Sequence, residues 1–382
     1  MSMRIPSTVR CSVTLRALPI LGALLLTAAG DAAVPPTASK GPILPRLAPV
    51  TELVFAAGKG DHAVGIVADP DEGGWLGPAD ATIEDVRGRV LAIADTANGR
   101  VLLLSPDGSS PRVLPMPDKM RPWLAGAGRE GWVVTVGRRS DGTNWLVWLP
   151  VQAGIVGSPS TQLPSRVLFR AIACDNNGTT YLLAGSQPNC LWRVGWRSRN
   201  VEKVVPPSAS NGKYWGLSRG GDGRVYGLVR YPSRLELLRF DREGRVAKTW
   251  DLTRFLRDFE SGDFIGISKL GQVLCARSIS AEHPWEAPDH WGYVLCCYAL
   301  SGDGVEKVGA AEIRYGPGDM EGYPGVVSLG EDPPLTFGTN ATVILRVANR
   351  KQFKLKFYRL PPWTAARPAE LSGSTTPMAA PK

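Results

Sequence analysis

The sequence predicts an all-β fold, a six-bladed β-propeller of four-stranded antiparallel blades, and three observations lead to this expectation. Strand-like segments rich in β-branched and aromatic residues alternate with Gly, Pro, Asp and Asn turns along most of the 382 residues. A unit of about 50 residues recurs along the chain, as in other repeat folds. No long segment has a helical period that would compete with strands.

The clearest repeat unit lies in the first third of the chain. Its four predicted strands are, in order, Gly77–Asp80, Arg89–Asp95, Val101–Leu104 and Arg112–Leu114. Polar turns separate these strands, with Asp and Gly at the sharpest ones. A four-stranded meander of about 40 to 50 residues has the size of one propeller blade.

Five more units with the same order of strands and turns start near residues 123, 169, 215, 265 and 325. This spacing is too regular for two unrelated domains, so one propeller is predicted over residues 50–360. The predicted middle strands of these units are Trp132–Val136 and Trp145–Leu149, Thr180–Leu183 and Leu191–Val194, Val225–Val229 and Leu235–Phe240, Gln272–Ala276 and Tyr293–Leu300, and Thr342–Val347 and Phe353–Tyr358.

One predicted strand stands outside the six units. Glu52 to Ala57 precedes the first unit, and the last unit supplies only inner strands up to Tyr358. A propeller has to close its ring, so we expect this N-terminal strand to complete the last blade. The Pro-rich residues 34–49 are then predicted as a linker, and residues 361–382 as a disordered tail.

The first unit resembles an NHL repeat. In that family a Gly-Pro pair, here Gly77-Pro78, opens the blade, and an Asp-x-x-Asn turn, here Asp95 to Asn98, precedes the third strand. The resemblance covers residues 55–110 and implies a propeller, whereas a fold does not imply a function. The short Asp95 and Asn98 side chains suit the backbone of a tight turn, so we expect a structural use for them.

The first 33 residues have the pattern of a secretory signal peptide. Arg4, Arg10 and Arg16 precede the apolar run Ala17–Ala29, and small residues follow up to Ala33. The run is shorter than the roughly 20 apolar residues of a membrane helix, which disfavours the alternative of an uncleaved anchor. We therefore expect a secreted or periplasmic monomer with no transmembrane segment after cleavage.

The chain is basic, with a formal net charge of +9. Loss of residues 1–33 removes three Arg and one Asp and leaves +7. Such an excess attracts anionic surfaces, and salt screens it. Nucleic acid is not expected as a partner, because export separates the chain from it and no RNA- or DNA-binding module appears. A protein, a peptide or an acidic saccharide is expected at one face of the propeller.

Five cysteines follow the signal peptide: Cys174, Cys190, Cys275, Cys296 and Cys297. There is no CxxC motif, and neighbouring residues such as Cys296 and Cys297 point to opposite faces of a strand. A zinc or iron–sulfur site made from these cysteines is therefore not expected. We expect at most one pair to be placed for a disulfide, from Cys174 and Cys190 in one blade or Cys275 and its partners in another.

The number of strands in a blade determines the face on which each candidate ligand residue lies. In a four-stranded meander, the loop between the second and third strands lies on the same face as the linker between blades, at the mouth of the central channel. Guanidinium groups bind carboxylates and sulfates in a two-pronged manner, and aromatic rings suit sugar faces. The sequence thus predicts a binding or scaffolding module for an anionic or saccharide ligand, with candidate residues Arg138, Arg139, Arg230, Tyr231, Arg234, Trp285 and Arg350.

The long loop between Ile279 and Gly292 offers a second kind of site. Imidazole and carboxylate groups bind zinc, and carboxylates bind calcium. A divalent-metal site in this loop would make the protein a metal-dependent propeller enzyme; the other interpretation is a rigid surface loop in which Pro and Trp cap the blade. The candidate metal ligands are His283, Glu286, Asp289 and His290.

Two known kinds of propeller enzyme indicate which metal ligands such an enzyme would need. Amidating lyases with an NHL-type propeller imply a tri-His zinc site, here from His62, His283 and His290, although two of these share one loop. Calcium-dependent lactonases imply a carboxylate and an Asn, for which Glu72 and Asn98 have the right type. The Glu-Gly-Pro opening of the lactonases is absent here. A binding module therefore remains the leading prediction over a lyase or a lactonase.

Overall fold

A computed structural model shows six four-stranded antiparallel blades arranged in a ring. All described residues belong to one compact unit, Leu44–Lys382. No helix among them is long and apolar enough to cross a membrane. The structure describes residues 44–68, 75–76, 78, 80–83, 91–104, 111–151, 157–165, 167–185, 190–205, 211–260, 262–268, 271–279, 291–302, 304–316, 319, 327–328, 335–338, 342–349 and 351–363.

Blades 1 to 3 each run in chain order from the inner strand to the outer strand. Blade 1 consists of Asp80–Ile83, Leu91–Asp95, Arg100–Leu104 and Arg112–Pro115. Blade 2 consists of Arg121–Ala127, Trp132–Arg138, Asn144–Pro150 and Ser160–Gln162. Blade 3 consists of Phe169–Cys174, Thr180–Ala184, Leu191–Val194 and Val201–Val204.

Blades 4 and 5 follow the same order, and blade 6 takes its outer strand from the start of the chain. Blade 4 consists of Lys213–Arg219, Val225–Arg230, Leu235–Phe240 and Val246–Asp251. Blade 5 consists of Gly262–Ile267, Gln272–Ile279, Gly292–Ser301 and Gly304–Arg314. Blade 6 consists of Leu335–Gly338, Thr342–Ala348, Gln352–Arg359 and Thr51–Ala57. The six predicted units and their strand order are confirmed.

Short elements occupy the linkers between blades, and the sequence did not predict them. Two-residue strands are too short to show a period of two. One of them, Ala63–Val64, runs parallel to the closing strand, and three others form a small sheet of their own. These elements are the strands Val67–Ala68, Trp75–Leu76 and Val327–Ser328, the 3-10 turns Pro117–Lys119 and Thr253–Phe255, and the helix Leu256–Glu260.

The chain start closes the ring, as predicted. Thr51–Ala57 pairs antiparallel with Gln352–Arg359 in a register that runs from Thr51 opposite Phe357 to Ala56 opposite Gln352. The Phe55 and Phe353 rings, also opposite each other, have centroids 6.2 Å apart. The last strand of the chain is thus held between its own hairpin partner and the first strand.

The core consists of six apolar clusters, one at each seam between neighbouring blades. Alternate residues of a strand serve different seams. Cys296 is buried in the cluster between blades 4 and 5, and Cys297 in the cluster between blades 5 and 6. This confirms that the two adjacent cysteines point to opposite faces of their strand. Aligned sheet-on-sheet packing of this kind buries both faces of every blade.

Hydrogen bonds between blades confirm the assignment of loops to two faces. Thr96, between the second and third strands of blade 1, donates to the carbonyl of Pro122 at the start of blade 2, at 2.7 Å. The Asn144 side chain likewise donates to the carbonyl of Val167 in the linker to blade 3. On the other face, the Asn176 backbone amide donates to the Gly223 carbonyl. Each of these two residues lies in the turn between the first and second strands of its blade. We call the first of these faces the mouth face.

The five cysteines in the described part of the chain are free thiols, and two of them lie opposite each other on paired strands. Cys275 lies directly opposite Cys296 on neighbouring strands of blade 5. Cys174 ends the inner strand of blade 3, whereas Cys190 precedes the third strand, with the second strand between them. The expectation of at most one well-placed pair agrees with this arrangement.

Thiol reactivity should follow burial. Burial raises the pKa of the Cys275 thiol and raises the pKa of Cys297 to about 12. The thiolate is the reactive form, so we expect native protein at pH 8 to react with iodoacetamide at half-buried Cys190 before it reacts at either of these. Peptide mass spectrometry over time measures the order. In denaturant the order should vanish, and fast native labelling of Cys297 would contradict the packing of blade 5.

Ring closure should depend on one face of the closing strand. Phe55 is 7% exposed and its neighbour Val54 is 54% exposed. Phe55→Ala should lower the free energy of unfolding by about 3–5 kcal/mol, because it leaves a cavity at the seam between blades 6 and 1. Val54→Ala, the control on the same strand, should change it by less than about 0.5 kcal/mol. Denaturant titration compares them, and equal losses would show that the strand closes the ring in another way.

Candidate ligand site at the mouth of the channel

The inner strands of blades 2 to 5 share a local irregularity near the mouth face. In each blade the pairing of the first and second strands shifts by one residue, which leaves one extra residue on the inner strand. Such β-bulges redirect a side chain and are common beside functional sites. The extra residues are Trp123, Arg170, Trp215 and Ile265.

Each of these bulge residues reaches toward the next blade. Trp123 packs against the cluster between blades 2 and 3, Trp215 against that between blades 4 and 5, and Ile265 against that between blades 5 and 6. Arg170 of blade 3 places its guanidinium over the ring of Trp215 in blade 4, 5.7 Å from the centroid. The bulges therefore line successive seams with side chains from the inner strands.

A glycine makes room for the bulge in blade 4. A Cβ at Gly216, which follows Trp215, would lie 2.5 Å from the ring of Phe264 in blade 5. Real Cβ atoms do not come this close to a packed aromatic ring, so only glycine fits between the two inner strands. The close approach of blades 4 and 5 thus depends on the Trp215-Gly216 sequence.

The seam between blades 2 and 3 contains a small cavity of about 120 Å³ on the mouth face. Trp123, exposed Arg138 and Asn144 line it from blade 2, and Leu168 and Phe169 line it from blade 3. The Asn144 amide donates to the carbonyl of Val167 at 2.7 Å, which holds the loop of blade 2 against the linker to blade 3. Arg138 therefore lies on the mouth face beside a concave surface, and its ligand role stays a prediction.

Two guanidinium groups, one from blade 3 and one from blade 4, contact one indole ring. Arg230 ends the second strand of blade 4, opposite Lys213, and its guanidinium lies 5.2 Å from the centroid of Trp215. Arg170 contacts the same ring from blade 3 and donates to the Trp215 carbonyl at 2.7 Å. Cation–π contact of this kind attracts a guanidinium to the ring. Arg170 and Trp215 were missed in the sequence because the expected ligand residues were sought in loops only.

Two other predicted arginines mainly hold the loops together. Arg139 stacks on the ring of Trp145 at 4.2 Å and bonds Asp118 in the linker to blade 2. Arg234 stacks on Tyr231 at 4.2 Å and forms an ion pair with Glu236 at 3.0 Å.

Tyr231 is more buried than a residue expected to contact a ligand at the mouth face. It is 6% exposed and belongs to the cluster between blades 3 and 4. Its amide donates to the Arg234 carbonyl, which extends the strand ladder by one residue and turns the ring into the seam. A ligand role for Tyr231, Arg139 or Arg234 stays a prediction.

The remaining candidates lie outside the described residues, and their roles stay predictions. His62, the one described histidine of the predicted tri-His set, is exposed in the linker to blade 1. Within the described part of the chain, no group of three or more His, Cys, Asp or Glu side chains is placed to hold a metal ion. The candidates outside it are Glu72, His283, Trp285, Glu286, Asp289, His290 and Arg350.

The Asp95 turn fastens the linker from the closing strand to blade 1. Asp95 is fully buried, and its carboxylate accepts from the Arg100 Nε at 2.9 Å, from the Asn98 amide at 2.8 Å and from the Gly65 backbone amide at 2.9 Å. Arg100 also donates to the carbonyl of Ala63 at 2.8 Å. The expected structural use of Asp95 and Asn98 agrees with these contacts.

Basic residues outnumber acidic ones on the described part of the mouth face, apart from the buried Asp95–Arg100 pair. Clefts and faces of one sign raise the local concentration of ions of the opposite sign. The basic residues are Lys59, Lys119, Arg121, Arg138, Arg139, Arg170, Lys213, Arg230, Arg234, Arg254, Arg257 and Lys351, and the acidic ones are Asp61, Asp118, Asp141, Asp251, Asp258, Asp263 and Asp319.

No family model matches the chain, and no curated protein matches it. Solved structures are similar to it at low identity. A luciferin-regenerating enzyme is 12% identical, with 81% of this chain and 98% of that one covered and a TM-score of 0.44. Regucalcin, a calcium-binding protein from Agrobacterium tumefaciens, is 14% identical, with 79% and 98% covered and a TM-score of 0.42.

Virginiamycin B lyase from Staphylococcus aureus is also similar. It is 12% identical, with 81% of this chain and all 100% of that one covered and a TM-score of 0.38. Likeness at these identities and scores carries no argument about activity. The propeller assignment depends on the strand pairing of this chain, and the NHL resemblance of residues 55–110 remains an expectation.

Breaking the buried Asp95–Arg100 pair on one side should destabilise the fold strongly. Asp95→Asn keeps the shape but removes the charge opposite Arg100, which is 8% exposed. Breaking a buried pair on one side costs about 3–5 kcal/mol, and we expect a loss of that size in the free energy of unfolding. Asp61→Asn is the control, because Asp61 lies 3.8 Å from Arg100 with 78% of its side chain exposed. Similar unfolding curves for the two variants would contradict a fastening role for Asp95.

Proposed function

We propose that this chain is an exported β-propeller that acts as a binding or scaffolding module and takes an anionic ligand, an acidic saccharide above all, at its mouth face. The observation that carries the proposal is the convergence of Arg170 and Arg230 on Trp215, on a face where basic residues predominate. Guanidinium groups bind carboxylates and sulfates through paired N–H donors.

The concave surface at the seam between blades 2 and 3 supports the same function. The cavity lined by Trp123 and Arg138 combines an aromatic ring with a cation, the pairing that suits a charged sugar. Binding at such a face needs positioned donors and rings, and it needs no nucleophile or general base. A binding role therefore accounts for the described mouth-face residues without further groups.

Export is the second part of the proposal. It is supported by the basic n-region, the apolar run Ala17–Ala29 and the small residues that end at Ala33. Expression in a bacterial host with fractionation, followed by N-terminal sequencing, tests this part. A mature chain that begins near residue 34 outside the cytoplasm would support it, and an intact chain in the cytoplasm would contradict it.

The alternative is a metal-dependent propeller enzyme of the lyase or lactonase-like type. It depends on the candidate metal ligands His283 and His290 and on the carboxylates of their loop. Elemental analysis of the purified protein separates the two functions. Zinc or calcium at one ion per chain, lost in His283→Ala together with His290→Ala, would favour the enzyme over the binding module.

The binding function predicts selectivity for charge. Isothermal titration of the purified protein with a trimer of galacturonic acid should show binding that weakens as salt rises, because the mouth face is basic. The control ligand is the neutral galactose trimer, which offers similar sugar faces and no carboxylates. Equal binding of the two trimers, or binding of neither, would contradict the proposed function.

A further inference from the structure

We infer that Cys275 and Cys296 are a cross-strand cysteine pair that oxidises to a disulfide when the chain folds under oxidising conditions, and that Cys297 takes no part. The structure shows the reduced form of this pair, in which each thiol can be alkylated. The disulfide is a modification site on blade 5, separate from the ligand site proposed at the mouth face. The inference goes beyond the proposed function, and its test depends neither on ligand binding nor on export.

The first step is the position of the two cysteines. Cys275 on the second strand of blade 5 lies directly opposite Cys296 on the third strand. Residues that face each other across an antiparallel pair have Cα atoms about 4.5–5.5 Å apart. Disulfides span Cα distances of about 4.4–6.8 Å. The backbone of blade 5 therefore permits the bridge without a change in strand pairing.

The second step is the direction of the side chains. Cys275 and Cys296 belong to the apolar cluster at the seam between blades 4 and 5, whereas Cys297 belongs to the cluster between blades 5 and 6. Leu274, which lies opposite Cys297, belongs to that second cluster too. Burial, and next the neighbouring Cys296 thiol, raise the pKa of Cys275. Cys275 thus has Cys296 beside it, and Cys297 lies on the other face of the sheet.

The third step is the surroundings of the pair, which suit either redox form. The Cys275 thiol donates to the backbone carbonyl of Asp258 at 3.4 Å, and oxidation removes this hydrogen bond. The Asp258 carboxylate keeps its two other contacts, with the Tyr298 hydroxyl at 2.6 Å and the Lys307 ammonium at 2.9 Å. The helix Leu256–Glu260 therefore stays attached to blade 5 after the thiol has lost its proton.

The oxidation takes place by exchange with a second disulfide, such as that of oxidised glutathione. One thiolate of the pair attacks this disulfide and forms a mixed disulfide, and the other cysteine then displaces the second glutathione thiol. The two cysteine thiols lose two electrons and two protons in total, and the oxidant becomes two thiols. Cys275 is 1% exposed and Cys296 is 6% exposed, so the exchange takes place before blade 5 packs against blade 4.

The bridge should stabilise the folded protein. It closes the chain segment between Cys275 and Cys296, which contains the long loop between the second and third strands of blade 5. A crosslink over a segment of this length restricts the unfolded chain, and in a protein of this size it should raise the melting temperature by about 3–6 °C.

The experiment refolds the full-length chain once with a mixture of reduced and oxidised glutathione and once with an excess of reductant. Free thiols are then blocked with N-ethylmaleimide, and trypsin releases Cys275 in the peptide 270–277 and both Cys296 and Cys297 in the peptide 278–307. Mass spectrometry detects whether the two peptides are linked. The variants are Cys275→Ala and Cys296→Ala, and the matched control is Cys297→Ala, the same change on the opposite face of the strand.

We expect the wild-type protein and Cys297→Ala to yield linked peptides after refolding with glutathione. Each should then melt about 3–6 °C above the same protein refolded with reductant. Cys275→Ala and Cys296→Ala should yield no link between these peptides and should melt alike in both buffers. Because each variant is compared with itself, any stability lost through the alanine substitution does not affect the comparison, and circular dichroism confirms folding.

Three results would overturn the inference. A folded wild-type protein whose Cys275 is fully alkylated after refolding with glutathione would show that the pair does not oxidise. A link that persists in Cys296→Ala would place Cys297 beside Cys275, against the side-chain directions. A bridged protein that melts below its reduced form would show that the disulfide distorts blade 5. None of these results bears on ligand binding, so the proposed function is tested independently.

Discussion

The pairing of Thr51–Ala57 with Gln352–Arg359 is the interaction on which the rest of this structure depends. Each blade buries both faces against neighbours, so an open ring would expose an apolar face of blade 1 and another of blade 6. The closing strand prevents this by joining the two ends of the chain within blade 6. The buried Asp95–Arg100 pair then fixes the linker that leads from this strand into blade 1.

Closure also shapes the mouth. A closed ring brings the mouth ends of the inner strands close together, and at Gly216 there is no room for a Cβ beside Phe264. Under that constraint a strand with one extra residue directs its side chain toward the next blade, as Arg170 does over Trp215. The candidate site therefore arises from bulges at seams between blades, while the mouth ends of the second strands contribute Arg138 and Arg230 beside it.

Much of the fold could be predicted because strand period and turn residues are local signals, and the closing strand Glu52–Ala57 followed from the need to complete a ring. Local signals did not locate the seam residues, since a bulge appears only when two strands pair. The sequence does contain one local signal for the bulge in blade 4. A glycine after an aromatic residue within a strand, as in Trp215-Gly216, marks a bulge or a close approach of another chain segment. The burial of Tyr231 was not predicted for a related reason, because its hairpin extends the strand ladder and buries the ring.

The bulge residues also give the mouth a direction. Around the ring they are aromatic, cationic, aromatic and aliphatic in blades 2 to 5, so the seams differ in chemistry although their backbone geometry repeats. Ile265 packs into the apolar cluster between blades 5 and 6, where an anion would find no donor from the bulge. Among the bulges of the described residues, an aromatic, a cationic and an aromatic side chain follow one another over blades 2 to 4. The chemistry that each seam presents at the mouth is therefore set by which side chain its bulge carries.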